Sequence, residues 1–243
     1  MNFLVGFLNV VWKIWFFLIT VLYVVVVGVF LVIPLALTDK TFPIAYKFIQ
    51  FWGTYTFYGM GFRKKLIEKV KLDPNQTYIF IANHTSPMDI MLMLNVLKNH
   101  PIVFVGKAEL LKIPIFRHIY KRVAIPVDRS NLRSRAQVYP LAKSKLNHGL
   151  NIFIFPEGGV PDDTTLVLDQ FKDGAFAIAQ ETQTPIAVFT IKGLKEMFPF
   201  DYFKGYPGKV EVTLLEIVDS SHYTKQDLKA YCRKIILENL QNT

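Results

Sequence analysis

A histidine and a carboxylate stand five positions apart in Asn83-His84-Thr85-Ser86-Pro87-Met88-Asp89, where an apolar run gives way to a helical pattern. An imidazole is a base near neutral pH. A carboxylate on one of its nitrogens fixes the tautomer and leaves the other nitrogen free to take a proton. The same residues also read as architecture: Ser86 suits the N-cap, Pro87 the first helical position, and Asp89 the third, with its charge near the helix dipole. Capping alone explains Asp89 completely, and base–orienter chemistry uses the same geometry. Two other chemistries fit the residue types. One is Ser86 as a nucleophile served by His84, awkward at two positions apart on a tight turn. The other is a metal held by His84, Asp89 and Glu157. A second polar turn, Phe155-Pro156-Glu157-Gly158, ends another apolar run. Two such turns on a basic, membrane-prone chain point to chemistry on a lipid.

The elements that position these turns are short and alternating. Strand-like runs cover 77–82, 102–105, 123–127, 151–155, 186–191 and 210–218, and helical patterns cover 87–98, 108–121, 132–147 and 170–181. A last helix fits 225–240, with Thr224 and Asp227 as a capping pair. This alternation predicts an α/β domain with a mostly parallel central sheet flanked by helices. Strands that end in polar turns put a site at the carboxyl edge of that sheet.

The N-terminal part is different. Residues 14–37 carry no charge, and Lys13 is the main break in the apolar run before them. A helix of about 24 residues is roughly 36 Å long, enough for a hydrocarbon core of about 30 Å. A signal peptide fits poorly, because the run is long and no basic region precedes it. The aromatic stretch 42–62 favours the headgroup region. Lys40, Lys47, Arg63, Lys64, Lys65 and Lys69 follow the apolar run, and the positive-inside rule then places the rest of the chain on the cytoplasmic face. A true span and a helical pair embedded in one leaflet both satisfy these features. The expected division is a membrane-anchoring helical segment over 1–62 and a catalytic domain over 63–243.

The chain has 243 residues, a formal net charge of +9 and 14% aromatic residues. Such a charge favours anionic partners, and with no nucleic-acid motif in the chain, nucleic acid is not expected among them. The lone Cys232 excludes an intrachain disulfide and a cysteine-based zinc site; its place in a helical pattern fits a small core residue.

The segment Asn83-His84-x-x-x-x-Asp89 resembles the first block of the glycerolipid acyltransferases, the family of 1-acylglycerol-3-phosphate acyltransferases. Further blocks follow in the family's order: Gly106-Lys107-Ala108-Glu109-Leu110, Ile125-Pro126-Val127-Asp128-Arg129, Phe155-Pro156-Glu157-Gly158, Phe171-Lys172-Asp173-Gly174-Ala175 and Thr184-Pro185-Ile186-Ala187-Val188. One H-x-x-x-x-D is a weak signal, whereas several blocks in order over 78–193 are a strong one.

The resemblance implies a membrane-bound O-acyltransferase. His84 is then the base that takes a proton from a lysolipid hydroxyl, and Asp89 orients it. The oxygen attacks an acyl thioester, with acyl-CoA or acyl-acyl carrier protein as co-substrate and no cofactor or metal. Lys107 and Arg129 become the donors to the acceptor's phosphate, Arg bidentately and Lys as a point charge; ordinary surface charge, or an Asp128–Arg129 ion pair, is the plainer reading. Glu157 and Gly158 belong to the substrate-binding turn, where the carboxylate orients a hydroxyl or holds the turn and Gly158 and Gly159 allow close approach. Family members often carry Thr-Arg after the Glu-Gly pair. Here Gly159-Val160 stand there, followed by Pro161-Asp162-Asp163, so a cation is missing. Lys172 or Arg129 replaces it, or the acceptor is a lyso-form of an amino-acid-containing lipid. A thioesterase or esterase using the same turns is the rival activity.

Overall fold

The computed structural model describes residues 3–161, 163 and 165–242; Asp162 lies outside them. The chain runs α1 (Phe3–Tyr23), a π-helical stretch (Val24–Val32), α2 (Ile33–Leu35), α3 (Phe42–Gly59), β1 (Arg63–Glu68), β2 (Ile79–Ile81), α4 (Met88–Val96) and β3 (Ile102–Lys107). A 3-10 turn (Ala108–Lys112), α5 (Phe116–Val123), β4 (Ala124–Val127), α6 (Leu132–Asn147), β5 (Asn151–Ile154), α7 (Gly174–Thr182) and β6 (Ile186–Lys192) follow. Then come α8 (Leu194–Met197), β7 (Lys209–Val218), a second 3-10 turn (Ser220–His222) and α9 (Lys225–Gln241).

The strands form one seven-stranded sheet in the order β1-β7-β6-β2-β5-β3-β4. Every pairing is parallel except β6–β7, as the alternation of elements predicts. Side chains alternate between two faces with period two. In β2, Ile79 and Ile81 enter the layer built with α6, α7 and α9, while Phe80, with Tyr78 and Ala82 beside it, enters the layer built with α1, α3 and α4. In β5, Ile152 and Ile154 take the first layer, and Phe153 with the following Phe155 takes the second. Cys232 is fully buried from α9, and burial pushes its thiol up to about 12, an inert core residue.

Several boundaries differ from the sequence pattern. The helix expected over 108–121 is split, with Ala108–Lys112 a 3-10 turn and α5 starting at Phe116. Pro114 lies in the break and disfavours helical backbone in the residue before it. The helix expected from 170 starts at Gly174, because the Lys172 amide donates to Pro156 O at 2.7 Å and holds 170–173 as a loop. β1 is absent from the expected strands. Its Arg-Lys-Lys start has no apolar alternation, and pairing with β7 defines it.

The apolar N-terminal segment forms one continuous helical run, Phe3–Leu35, long and apolar enough to cross a membrane. One face of it packs on the rest of the protein. Trp12 Nε1 donates to Met60 O and Trp15 Nε1 to Gly59 O, both at 3.2 Å, and Tyr23 OH donates to Phe48 O at 2.9 Å. Near the other end, Gly28 sits against Ile119 of α5. The opposite face presents Phe7, Val11, Leu18, Leu22 and Phe30 outward, continued on α3 by Phe51, Tyr55 and Tyr58. The aromatic stretch is therefore divided. Tyr46 is buried, its hydroxyl accepting from Ile102 N at 2.7 Å and donating to Ile102 O at 3.1 Å.

α3 presses on α4, the helix that begins at the His84–Asp89 turn. A Cβ placed on Gly53 would lie 2.7 Å from Leu94 Cβ and 3.1 Å from Met91 O. Gly53→Val is expected to lower stability by about 1–3 kcal/mol through overpacking. Denaturant unfolding checks this, and an unchanged midpoint contradicts it.

Candidate active site

Pairing register brings the two polar turns together. Ile79, Phe80 and Ile81 of β2 stand opposite Ile152, Phe153 and Ile154 of β5. Carried three residues past the strand ends, the same register sets His84 opposite Glu157, and the His84 N–H donates to Glu157 Oε1 at 2.7 Å. The His84 ring stacks on Phe155, with centroids 4.0 Å apart and planes 14° from parallel.

Asp89 completes the arrangement. It is fully buried, and its Oδ2 accepts from Thr85 N at 2.7 Å, from Ser86 N at 2.9 Å, and contacts His84 Nδ1 at 2.8 Å. One oxygen thus holds two turn amides and contacts the imidazole, while α4 begins at Met88 with Pro87 at its N-cap, one residue later than the expected Ser86. With Nδ1 engaged, Nε2 is the nitrogen available for a substrate proton. Ser86 is excluded as a nucleophile. It is fully buried, its hydroxyl donates to Phe198 O at 2.7 Å, and it accepts from Met88 N at 3.1 Å.

Glu157 holds the turn. Its second oxygen accepts from Asp169 N at 2.9 Å, so one buried carboxylate ties the His84 loop to the loop before α7. Burial raises its pKa, against the two backbone donors and His84, which pull it down. Among the described residues, no three His, Cys, Asp or Glu side chains are grouped as metal ligands, His84, Asp89 and Glu157 included.

Two cavities flank this turn. One, of about 690 Å³, is lined by His84, Thr85, Lys107 and Glu157, by Leu166 and Val167, and by 199–201. The other, of about 730 Å³, is lined by Arg129, Arg135 and Lys172 around an apolar interior that includes Val127, Val138, Ile154, Phe171 and Ile178. Phe155, Pro156 and Gly158 also line it. The structure therefore puts Lys107 with His84, at the end of β3, and Arg129 with Gly158, two residues beyond β4. Asp128 does not pair with Arg129: its Oδ1 accepts from Ser130 N at 3.0 Å and Ser130 Oγ at 2.6 Å. Arg129 Nη1 lies 3.6 Å from where a Cβ on Gly159 would be, and Lys172 Cγ lies 3.4 Å from the same point on Gly158. Gly158 has φ +86°, a conformation that favours glycine.

The roles of Phe155 as the stacking surface and of Asp169 as the second donor to Glu157 escape sequence reading. Nothing in the order of residues signals a ring stacked across two strands or a backbone amide twelve residues along.

Glu157 gives a test of this geometry. Its folded pKa lies above the ordinary 4.5. Its contribution to stability is thus fully present below that value and is lost as pH rises through the raised folded value. Glu157→Gln removes the titration. The wild-type advantage is therefore expected to shrink as pH is raised from below 4.5 through the raised folded value. Denaturant unfolding across that range measures it, and a pH-independent difference contradicts it.

A family model described as Acyltransferase matches residues 63–192, just over half of the chain. The chain is 31% identical over 170 residues to the 1-acyl-sn-glycerol-3-phosphate acyltransferase of Salmonella typhimurium, covering 67% of this chain and 66% of that protein. It is 30% identical over 170 residues to the Escherichia coli (strain K12) enzyme of the same name, with the same coverage. Against the human 1-acyl-sn-glycerol-3-phosphate acyltransferase beta it is 27% identical over 176 residues, covering 72% of this chain and 62% of that protein. The match thus spans about two thirds of these relatives' own length. The fold is also that of the crystal structure of the 1-acyl-sn-glycerophosphate (LPA) acyltransferase PlsC from Thermotoga maritima. The TM-score is 0.80 at 24% identity, over 98% of this chain and 96% of that one.

Proposed function

The chain belongs to the Acyltransferase family, and on that premise we propose that it moves a fatty acyl group from a thioester to the free hydroxyl of a lysolipid, 1-acylglycerol-3-phosphate first among them. The observation that carries this reading is the 2.8 Å contact between His84 Nδ1 and buried Asp89, with His84 at a cavity wall. His84 Nε2 takes the proton from the acceptor hydroxyl as its oxygen bonds to the thioester carbonyl carbon. Collapse of the tetrahedral intermediate breaks the carbon–sulfur bond, and the imidazolium returns the proton to the departing thiolate. Asp89 stabilises the imidazolium and holds the tautomer. The thioester is already an activated acyl donor, so the reaction as proposed uses no cofactor. Either acyl-CoA or acyl-acyl carrier protein supplies it.

The acceptor's phosphate is assigned to Arg129, with Glu157 and Gly158 forming the turn that separates it from Lys107 in the His84 cavity. Arg129 and Lys172 beside Gly158 and Gly159 supply the cations that Gly159-Val160 lack. That placement favours a phosphate-bearing acceptor over an amino-acid-containing lysolipid.

The outer apolar face of α1 and α3 is proposed to enter the membrane, with the catalytic domain on the cytoplasmic face beside Lys40, Lys47 and Arg63. Lys13 and Gly28 both touch the domain and lie about 22 Å apart along a helix. A helix docked at both points lies along the domain, which favours embedding in one leaflet over a span.

His84→Ala is expected to cut acyl transfer by about 100-fold or more while the protein still folds and binds vesicles. A variant with full transfer activity overturns the assignment. Thioester hydrolysis at the same rate with and without lysolipid would instead identify a thioesterase. Arg129→Ala and Lys172→Ala should each raise the KM for a phosphate-bearing lysolipid about tenfold, with a smaller effect on an acceptor that lacks phosphate. Product mass spectrometry over a lysolipid panel reads both.

A further inference from the structure

Lys13 is the only charge from residue 3 to residue 38, and it is not on the outer face of its helix. It is 4% exposed. Its ammonium donates to Pro199 O and sits 4.0 Å from the centroid of the Phe198 ring. A buried ammonium on an apolar helix is costly unless its partners are specific, and a Met or Leu would pack the helix without that cost. The partners explain its presence. The carbonyl of Phe198, one residue before Lys13's acceptor, receives the Ser86 hydroxyl at 2.7 Å. Ser86 in turn accepts from Met88 N and donates its own N–H to Asp89 Oδ2. Two consecutive carbonyls are thus held, one by the first helix and one by the turn that carries His84 and Asp89. Phe198 is itself clamped by Trp12 and Phe16 of the first helix, with centroids 5.3 and 5.0 Å away. Pro199 also lines the His84 cavity.

We propose that Lys13 is a positioning residue for the His84–Asp89 turn, acting through the Phe198–Pro199 carbonyl pair and Ser86, so that docking of the apolar helix and assembly of the catalytic turn are one event. The kinetic part rests on the acyl-transfer reading above; the structural part does not. The rotation of the 198–199 peptides is set by Lys13 and is felt by Ser86, and Ser86 shares Asp89 Oδ2 with His84.

The test uses the full chain in phospholipid vesicles, with Lys13→Met, Lys13→Gln, Lys13→Arg and Ser86→Ala. Lys13→Met and Lys13→Gln are expected to bind vesicles as wild type does and to lose about tenfold in kcat, with the acceptor KM within about twofold. Lys13→Arg, which keeps the donor and the charge, is expected to recover most of that loss. Ser86→Ala combined with Lys13→Gln should cost little more than either alone, as expected for residues acting through one path. Unchanged kcat in Lys13→Gln, a loss confined to vesicle binding, or full additivity with Ser86→Ala overturns the proposal. If Lys13→Met does not fold, Lys13→Gln and Lys13→Arg carry the comparison. A second readout needs no turnover: the Nδ1 proton resonance of His84 by NMR, expected to be protected from exchange in the wild type and to broaden in Lys13→Gln. Its persistence unchanged overturns the proposal even if the protein transfers no acyl group at all. Absence of transfer by the wild type on every lysolipid would count against the reaction alone.

Discussion

One buried oxygen, Oδ2 of Asp89, draws in two backbone amides and one imidazole nitrogen. A carboxylate with that many donors has little freedom, and neither do the groups that donate to it. The loop between β2 and α4 can therefore take one path, and His84 can present one edge. An asparagine could keep the three contacts through its amide oxygen but would lose the charge and bury an unpartnered NH2 at the Oδ1 position, while a glutamate would be one methylene too long for the same three contacts.

That oxygen is in turn held in place by the sheet. β2 and β5 are paired so that the turn after one meets the turn after the other, and Glu157 bonds the two. Phe155 gives the imidazole a flat apolar wall. The site is therefore built at the carboxyl ends of adjacent parallel strands, where side-chain alternation delivers Ala82 and Phe155 to the same layer. Behind it, α4 packs on α3, and α3 on α1. The helices that carry the outward apolar surface are also the back wall of the His84–Asp89 turn. The outward apolar surface and the His84–Asp89 turn are thus close neighbours by construction.

Much of this was legible in the residues. The alternation of strand-like and helical runs indicated a mostly parallel sheet, and α6 occupies 132–147 as its pattern implied. The Thr224–Asp227 pair caps α9, with Thr224 Oγ1 accepting from Asp227 N at 3.3 Å. Where local chemistry was ambiguous the pattern failed. The segment 108–121 has helical composition, but Pro114 and the positive φ of Ile115 divide it. β1 has the composition of an exposed basic loop and is a strand because β7 offers it hydrogen bonds.

The sequence by itself determined the chemistry available: a base and a carboxylate at a spacing that one helix start can bring together, cations after apolar strands, and an apolar segment that water would not tolerate. These are local properties, set by side-chain type and by separations of a few residues. Only the tertiary structure decided which distant groups meet. Glu157 reaches His84 because of a strand register, Ser86 is spent on the Phe198 carbonyl, Arg129 and Lys172 gather on the far side of the glycine turn, and Lys13 faces inward to Pro199. Register, burial and the docking of one helix on another are settled by the packing of the whole core, and no short stretch of residues contains that information.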